Sequence, residues 1–376
     1  MAAPGGVVCD LGAPDAASAG PGCERAWMDH NLRMNDILTV GTHNSYKLAI
    51  SEPIMALIRE MAPDRWWHID YSHRPLAEQL DDGARNLEID VMHDPEGGRF
   101  AHPVGMAASG QPVDPAYVAA MSKPGFKVLH IQDIDFRSSQ LTFVDALTEI
   151  RDWSAAHPDH VPILITMNTN DGRRRIRGGV DGLPFDEAAY DALDAEIRSV
   201  FPASQLITPD WVRGDHGTLR EAVLQRGWPR LGEARGKVFF ALDEQGAHRE
   251  AYRGGRKTLE GRVYFVDSNE TDPDAAYLTL NELADAPRIA AAVDAGFIVR
   301  TRADADTVEA RSNDTLRRDT LLASGAQYVS TDYRRPDPRL SDYQVRLPGD
   351  AIALCNPRRA PERCAGVPLE GAVSPG

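Results

Sequence analysis

The chain has 376 residues, 42% hydrophobic and 26% charged, which is the balance of a globular protein with a sizeable core. Its 41 basic residues face 56 acidic ones, a net charge of -15 that argues against nucleic acid as a partner and against charge-driven adsorption to anionic bilayers. No stretch approaches the roughly 20 apolar residues of a membrane span.

Cysteine occurs only near the ends, as Cys9 with Cys23 and Cys355 with Cys364. Neither pair has CxxC spacing or a nearby histidine, so two disulfides closing short terminal loops are expected in place of zinc. That points to an oxidising compartment, periplasmic or outside the cell. No signal-peptide pattern precedes the first motif, so the leader of an exported chain would lie outside this sequence. Cytosolic synthesis from Met1 is the competing reading. The expected organisation is an N-terminal extension over 1–30, one domain over 31–335, and a wrapped Pro- and Arg-rich tail over 336–376.

Eight runs rich in Val, Ile and Phe follow in chain order: 37–40, 87–91, 128–131, 163–167, 238–242, 263–266, 297–299 and 327–330. Near-continuous hydrophobicity is the mark of parallel strands covered on both faces. Helical spacing separates them. Leu76, Leu80 and Ala84 share a face behind Pro75, and Phe143, Leu147, Ile150 and Trp153 share another. Tyr190, Leu193, Ile197 and Val200 form a third, Ile289 and Val293 a fourth, and Leu316, Thr320 and Ala323 a fifth that closes at Gly325. The predicted fold is α/β, a single distorted (β/α)8 barrel whose active-site residues stand at strand C-terminal ends. A doubly wound sheet is second, because no glycine-rich phosphate loop follows the first strand.

Polar groups sit where those runs end. The first closes in Gly41-Thr42-His43-Asn44-Ser45, and His43 there is a candidate general acid or base. A hydrogen-bonded loop histidine is the competing reading for His43 taken alone. Glu88 and Asp90, two apart on a strand, share one face, and two carboxylates inside a barrel call for a cation. Asn44, Glu88 and Asp90 are oxygen donors suited to Ca²⁺, with Mg²⁺ as second choice. One solvated and one salt-bridged carboxylate is the alternative. His102, twelve residues past Asp90 beyond a loop with Gly97 and Gly98, is the expected second histidine; His93 and His130, near strand ends, compete for that role.

Later strand ends add Asp243 and Glu244, then Arg300 and Arg302, then Asp332 and Tyr333. Arg300 is the first choice for a phosphate contact, since a guanidinium donates two hydrogen bonds to it. Arg302 shares its face and has an ion pair to Asp304 or Glu309 as its alternative. Asp243 is a candidate for sugar hydroxyls or for helix capping, and Tyr333 for lining a substrate pocket or closing the barrel. Trp66 and Trp67 are placed to touch a lipid interface or to pack on a helix. The arginine-rich 172–182 loop suits anionic head groups or plain solvation.

The run VGTHNSY, followed by QLDDGARNLEIDVMHDPEGGRFAHP, resembles the catalytic half of the bacterial calcium-dependent phosphatidylinositol-specific phospholipases C. The resemblance continues through VLHIQDIDFRSS, GKVFFALDE, GFIVRTRADADT and AQYVSTDY to CNPRRAPERC, nearly the whole chain. It implies a distorted (β/α)8 barrel that cleaves the phosphodiester between inositol phosphate and diacylglycerol, with a phosphoinositide as partner and transient contact with the membrane surface. It implies that His43 acts on the attacking inositol hydroxyl and that His102 protonates the leaving alkoxide or stabilises charge on phosphate. Asn44, Glu88 and Asp90 would hold Ca²⁺. The chain departs from the family after the fourth run, where Asn168 stands in place of a glutamate; as a ligand it brings one less negative charge, which Asp171 would supply from the loop. Two other readings remain at this stage. One is a glycerophosphodiester phosphodiesterase, which would show His-Arg-Gly in place of His43-Asn44-Ser45. The other is a non-catalytic binding protein for inositol phosphates or lipid head groups.

Overall fold

The structure, a computed structural model, describes residues 8–110, 112, 114–364 and 366–371. Among these residues ten strands form two five-stranded sheets. They are β1 (Ile37–Thr42), β2 (Asn86–Met92), β3 (Lys127–Val128), β4 (Ile163–Thr169), β5 (Val238–Leu242), β6 (Tyr264–Val266), β7 (Tyr277–Thr279), β8 (Ile298–Arg302), β9 (Tyr328–Thr331) and β10 (Ala353–Cys355). One sheet runs β10-β1-β9-β8-β7 and the other β3-β2-β4-β5-β6. All neighbours are parallel except the two edge pairs, β1 with β10 and β2 with β3. The long strands β2, β4 and β5 are buried almost throughout, as their unbroken apolar runs require.

The eight parallel strands follow one another in chain order, but no continuous ladder closes them into a ring. Between β6 and β7 the structure has one parallel bridge, Asp267 to Tyr277. Between β1 and β2 it has the bonds Arg85 N–H to Val40 O (3.1 Å) and Ser45 N–H to Glu88 O (2.9 Å). The strands approach closely there: a Cβ on Gly41 would lie 1.9 Å from the Asn86 carbonyl oxygen. Among the described residues the (β/α)8 barrel expected from the sequence is thus present as two five-stranded sheets linked at their edges by these few bonds, without a closed ring of ladders.

Strand assignment needs correction at three places. The third run yields only the two-residue β3, antiparallel to β2, because the chain turns at once into the hairpin that joins Ile131 to Asp135. The eighth parallel strand is β7, only three residues long and absent from the eight runs read from the sequence. β10 comes from the tail and pairs with β1, from Ile37 with Cys355 to Thr39 with Ala353.

The helices follow the apolar spacing. Phe143–Ala156 starts at Thr142, whose side chain accepts from Asp145 N–H, and Glu187–Val200 starts at Asp186, which accepts from Ala189 N–H. Leu76–Asp81 begins after Pro75. Both disulfides are present, Cys9–Cys23 ahead of the helix Glu24–Asn31 and Cys355–Cys364 from the last residue of β10 into the tail. No described helix is long and apolar enough to cross a membrane.

Candidate active site

The chain turns sharply after β1. Asn44 has φ 47°, a left-handed conformation that asparagine tolerates better than most residues. The turn is docked on β2 by an exchange at one residue pair: Ser45 N–H donates to Glu88 O, and Glu88 N–H donates to Ser45 Oγ at 2.8 Å. That exchange sets His43 and Asn44 beside the carboxylates of β2.

His43 is the centre of the site. Its Nδ1 lies 2.8 Å from Asp332 Oδ1, at the end of β9, and 3.4 Å from Tyr71 Oη. Its Nε2 lies 3.4 Å from Glu88 Oε1. Burial, together with the Arg302 guanidinium, holds the imidazole well below the usual histidine range, so it is neutral at physiological pH and able to accept a proton.

Glu88 and Asp90 point to one side of β2, and Asn168 is the register partner of Asp90 on β4. The Asn168 amide donates to Glu88 Oε1 at 3.0 Å and to Asp90 Oδ1 at 3.4 Å. Burial pushes the Asp90 carboxyl up to about 7, with the charge of Glu88 adding to the effect. The Asn44 amide donates to Tyr71 Oη at 2.7 Å, while its buried Oδ1 has no partner.

This set fits a hard divalent cation. An orphaned amide oxygen beside two crowded carboxylates is an oxygen-donor arrangement short of positive charge. Asn168 would have to turn its amide over to present Oδ1. Among the described residues no group of three or more His, Cys, Asp or Glu side chains is arranged for a metal, so amide oxygens would have to complete the shell. Asp171, the alternative ligand, is exposed and lies 3.6 Å from His248 Nε2.

The two arginines of β8 enter from the opposite sheet. Arg300 pairs with Glu88 Oε2, with Asp243 Oδ2 at 3.4 Å and with Asn281 Oδ1 at 3.1 Å. Arg302 pairs with Asp332 Oδ2 at 3.4 Å, and with neither Asp304 nor Glu309. The Nε groups of both are buried without partners. Burial raises the Asp243 carboxyl above its usual range against the pull of Arg300. Tyr333 is buried edge-on to Tyr343 and lines a cleft of about 580 Å³ with Tyr71, His73 and Asp332.

The two candidates for second histidine are separated by the fold. His102 is exposed at the rim of a small crevice lined by Phe100, Tyr117, Leu129 and Phe136, and its ring makes no hydrogen bond or ion pair among the described residues. The loop before it turns outward through Gly97 and Gly98, at φ 80° and 84°, and docks on Met121 O. Asp133 then captures Val104 N–H at 3.0 Å. His130 instead stands close enough to Asp90 and Asp332 to interact with their charges. Its Nδ1 is 2.7 Å from Asp135 Oδ2. His93 stacks on Phe126 and Phe185 away from the cluster.

Three contributors escaped the sequence reading. Tyr71, Asp135 and the His43-facing role of Asp332 carry no local motif; only the DxDF pattern after His130 offered a signal.

Residues 32–357 match the family model for Ca²⁺-dependent phosphoinositide phospholipase C. The chain belongs to this family. Its members are phosphodiesterases. Among solved structures, an apo calcium-dependent phosphoinositol-specific phospholipase C from Pseudomonas sp. is 15% identical, with a TM-score of 0.53 over 87% of this chain and 96% of that one. A Ca²⁺-dependent phosphatidylinositol-specific phospholipase C from Streptomyces antibioticus is 18% identical, with a TM-score of 0.51 over 80% and 95%. At these identities the likeness speaks for the fold. No curated protein sequence matches.

Proposed function

We propose that this phospholipase C family member cleaves phosphatidylinositol or a related inositol phosphodiester, using Ca²⁺, by attack of an inositol hydroxyl on phosphorus. The observation that carries this reading is the placement of His43, held at Nδ1 by Asp332 with Nε2 turned toward the carboxylate cluster.

His43 Nε2 takes the proton of the attacking hydroxyl as the new O–P bond forms. Asp332 holds the tautomer and stabilises the imidazolium that results. The bond from phosphorus to the glycerol oxygen breaks, and that oxygen takes a proton from His130, which Asp135 orients. His130 thus replaces His102 in the expected pair. Arg300 and Arg302 meet the phosphate oxygens through guanidinium groups that now face carboxylates. The organic product is a cyclic inositol phosphate, because the nucleophile belongs to the substrate.

Asn44, Glu88, Asp90 and Asn168 would hold the metal. Bound Ca²⁺ supplies Lewis-acid polarisation of a phosphate oxygen and lowers the pKa of the attacking hydroxyl. Four carboxylates (Glu88, Asp90, Asp243 and Asp332) face two guanidinium groups here, a deficit that one divalent cation offsets.

A lipid substrate requires contact with a bilayer surface. Exposed Met61 and Val308 bracket the half-buried Trp66 and Trp67, since Thr307 Oγ1 donates to Trp67 O. The disulfides support export to an oxidising compartment.

The test is to give purified protein phosphatidylinositol vesicles with Ca²⁺ or with chelator, and to follow phosphorus products by ³¹P NMR. Calcium-dependent appearance of a cyclic inositol phosphate is expected. No product in either condition would sink the reading, and equal turnover with chelator would remove the metal from it.

A further inference from the structure

Lys47 stands three residues after Asn44, and its side chain is completely buried. Its ammonium donates to the carbonyl oxygens of Ile69 and Tyr71, each at 2.9 Å. It also lies 3.3 Å from Asp135 Oδ2 and 4.7 Å from the centre of the Tyr71 ring. The oxygen it faces on Asp135 is the one that accepts from His130 Nδ1, and the other oxygen of that carboxylate is buried without a partner.

A buried ammonium is costly, and apolar side chains of similar volume commonly replace buried ion pairs without loss of stability. Stability alone therefore does not explain this one. Asp135 comes from the hairpin after β3, and the 69–71 segment comes from the excursion after β1. Lys47 joins these two pieces, and nothing else in the described contacts of Asp135 ties its carboxylate to the β1 side of the site.

We propose that Lys47 is a positioning residue for proton donation to the leaving group: it anchors Asp135, and Asp135 fixes the ring of His130. This rests on the reading of His130 as the donor. With the ammonium absent, the carboxylate keeps the imidazole as its one side-chain partner and can swing with it, so the proton is presented to the leaving oxygen less often.

The chemistry offers a readout that packing damage does not imitate. A dialkyl phosphodiester expels a poor alkoxide and needs the proton as the P–O bond breaks. A nitrophenyl inositol phosphate expels a stable phenolate and does not. Lys47→Met keeps length and removes charge. At saturating Ca²⁺ it should lower kcat on phosphatidylinositol by about 10- to 100-fold, with less than about a threefold loss on the aryl substrate and KM little changed. Asp135→Asn, which cuts the same link while leaving Lys47 on its two carbonyls, should show the same selectivity and serves if Lys47→Met does not fold.

Equal losses on both substrates, or no loss, would overturn the proposal. His130→Ala, assayed on the same pair, separates the two ideas. If His130→Ala is selective and the Lys47 and Asp135 variants are not, the positioning role falls alone. If His130→Ala is not selective, the donor assignment falls and takes the positioning role with it.

Discussion

His43 Nδ1 and Asp332 Oδ1 meet at 2.8 Å across 289 residues of sequence, where the C-terminal ends of β1 and β9 lie side by side. The carboxylate is itself held in place. Its backbone N–H donates to Asp304 Oδ1 at 2.8 Å, and Arg302 reaches its second oxygen. His43 thus sits on a rigid support.

Asp332→Asn should leave the fold intact and lower kcat by about 10²- to 10⁴-fold, since the amide favours the wrong tautomer and cannot stabilise imidazolium. Steady-state kinetics with circular dichroism as a folding control checks it. Activity within about threefold of wild type would show that His43 is not the base.

The second histidine is open to direct comparison. His130→Ala should cost about 10²-fold or more in kcat on phosphatidylinositol, whereas His102→Ala should stay within about threefold. The reverse pattern would restore the exposed loop histidine to the mechanism.

Asn168→Glu should raise Ca²⁺ affinity, because a fourth donor gains a full negative charge next to Asp90. Isothermal titration of the purified protein with Ca²⁺ measures this without substrate. Asn44→Ala should weaken binding in the same titration by removing the orphaned Oδ1. Unchanged affinity in both variants would place the metal elsewhere.

The Cys355–Cys364 bridge closes a loop of nine residues' separation from the last residue of the edge strand β10. Its removal by paired serine substitution should cost about 2–3 kcal/mol on the loop-entropy account. Denaturant unfolding gives the number. Hydrogen exchange should show early opening of β10 while β2 and β4 stay protected.

His160 provides a pH test far from the chemistry. Its ring is buried between Ser154 Oγ at 2.7 Å and Val161 O at 2.6 Å, and burial pushes its pKa down to about 4. The unfolded chain protonates this ring near pH 6.5 and the folded chain only near 4. Unfolding therefore takes up a proton in that window, and stability falls as the pH drops through it, by up to about 3 kcal/mol. His160→Gln should remove this part of the slope. If the two proteins lose stability in parallel from pH 7 to 4, the buried ring is not responsible.

Legibility varied with the range of the interaction involved. The α/β alternation, most strands and the helices Phe143–Ala156 and Leu316–Ala323 were visible because periodicity and apolar runs are local. The pairing of Glu88 and Asp90 on one face was visible for the same reason, since strand alternation has a period of two. The short β7 and the tail strand β10 were not visible: three residues carry too little pattern, and their hydrogen-bond partners are distant in sequence. His102 attracted the role through its nearness to Asp90 in the chain. The glycine turn at 97–98 and the grip of Asp133 carry it outward instead.

By itself the sequence determined the family, the two terminal disulfides, the base candidate His43 and the oxygen donors around Glu88 and Asp90. Each is carried by residue type and short spacing. Tertiary structure decided that the strands divide into two five-stranded sheets, that Asp332 backs His43, and that His130 stands beside the cluster with Asp135 and Lys47 behind it. It also set Arg300 on Glu88. Those relations join strand ends and loops tens to hundreds of residues apart, and a few ångströms of strand approach, such as Gly41 against Asn86, govern them. Spacing along the chain carries no record of such distances.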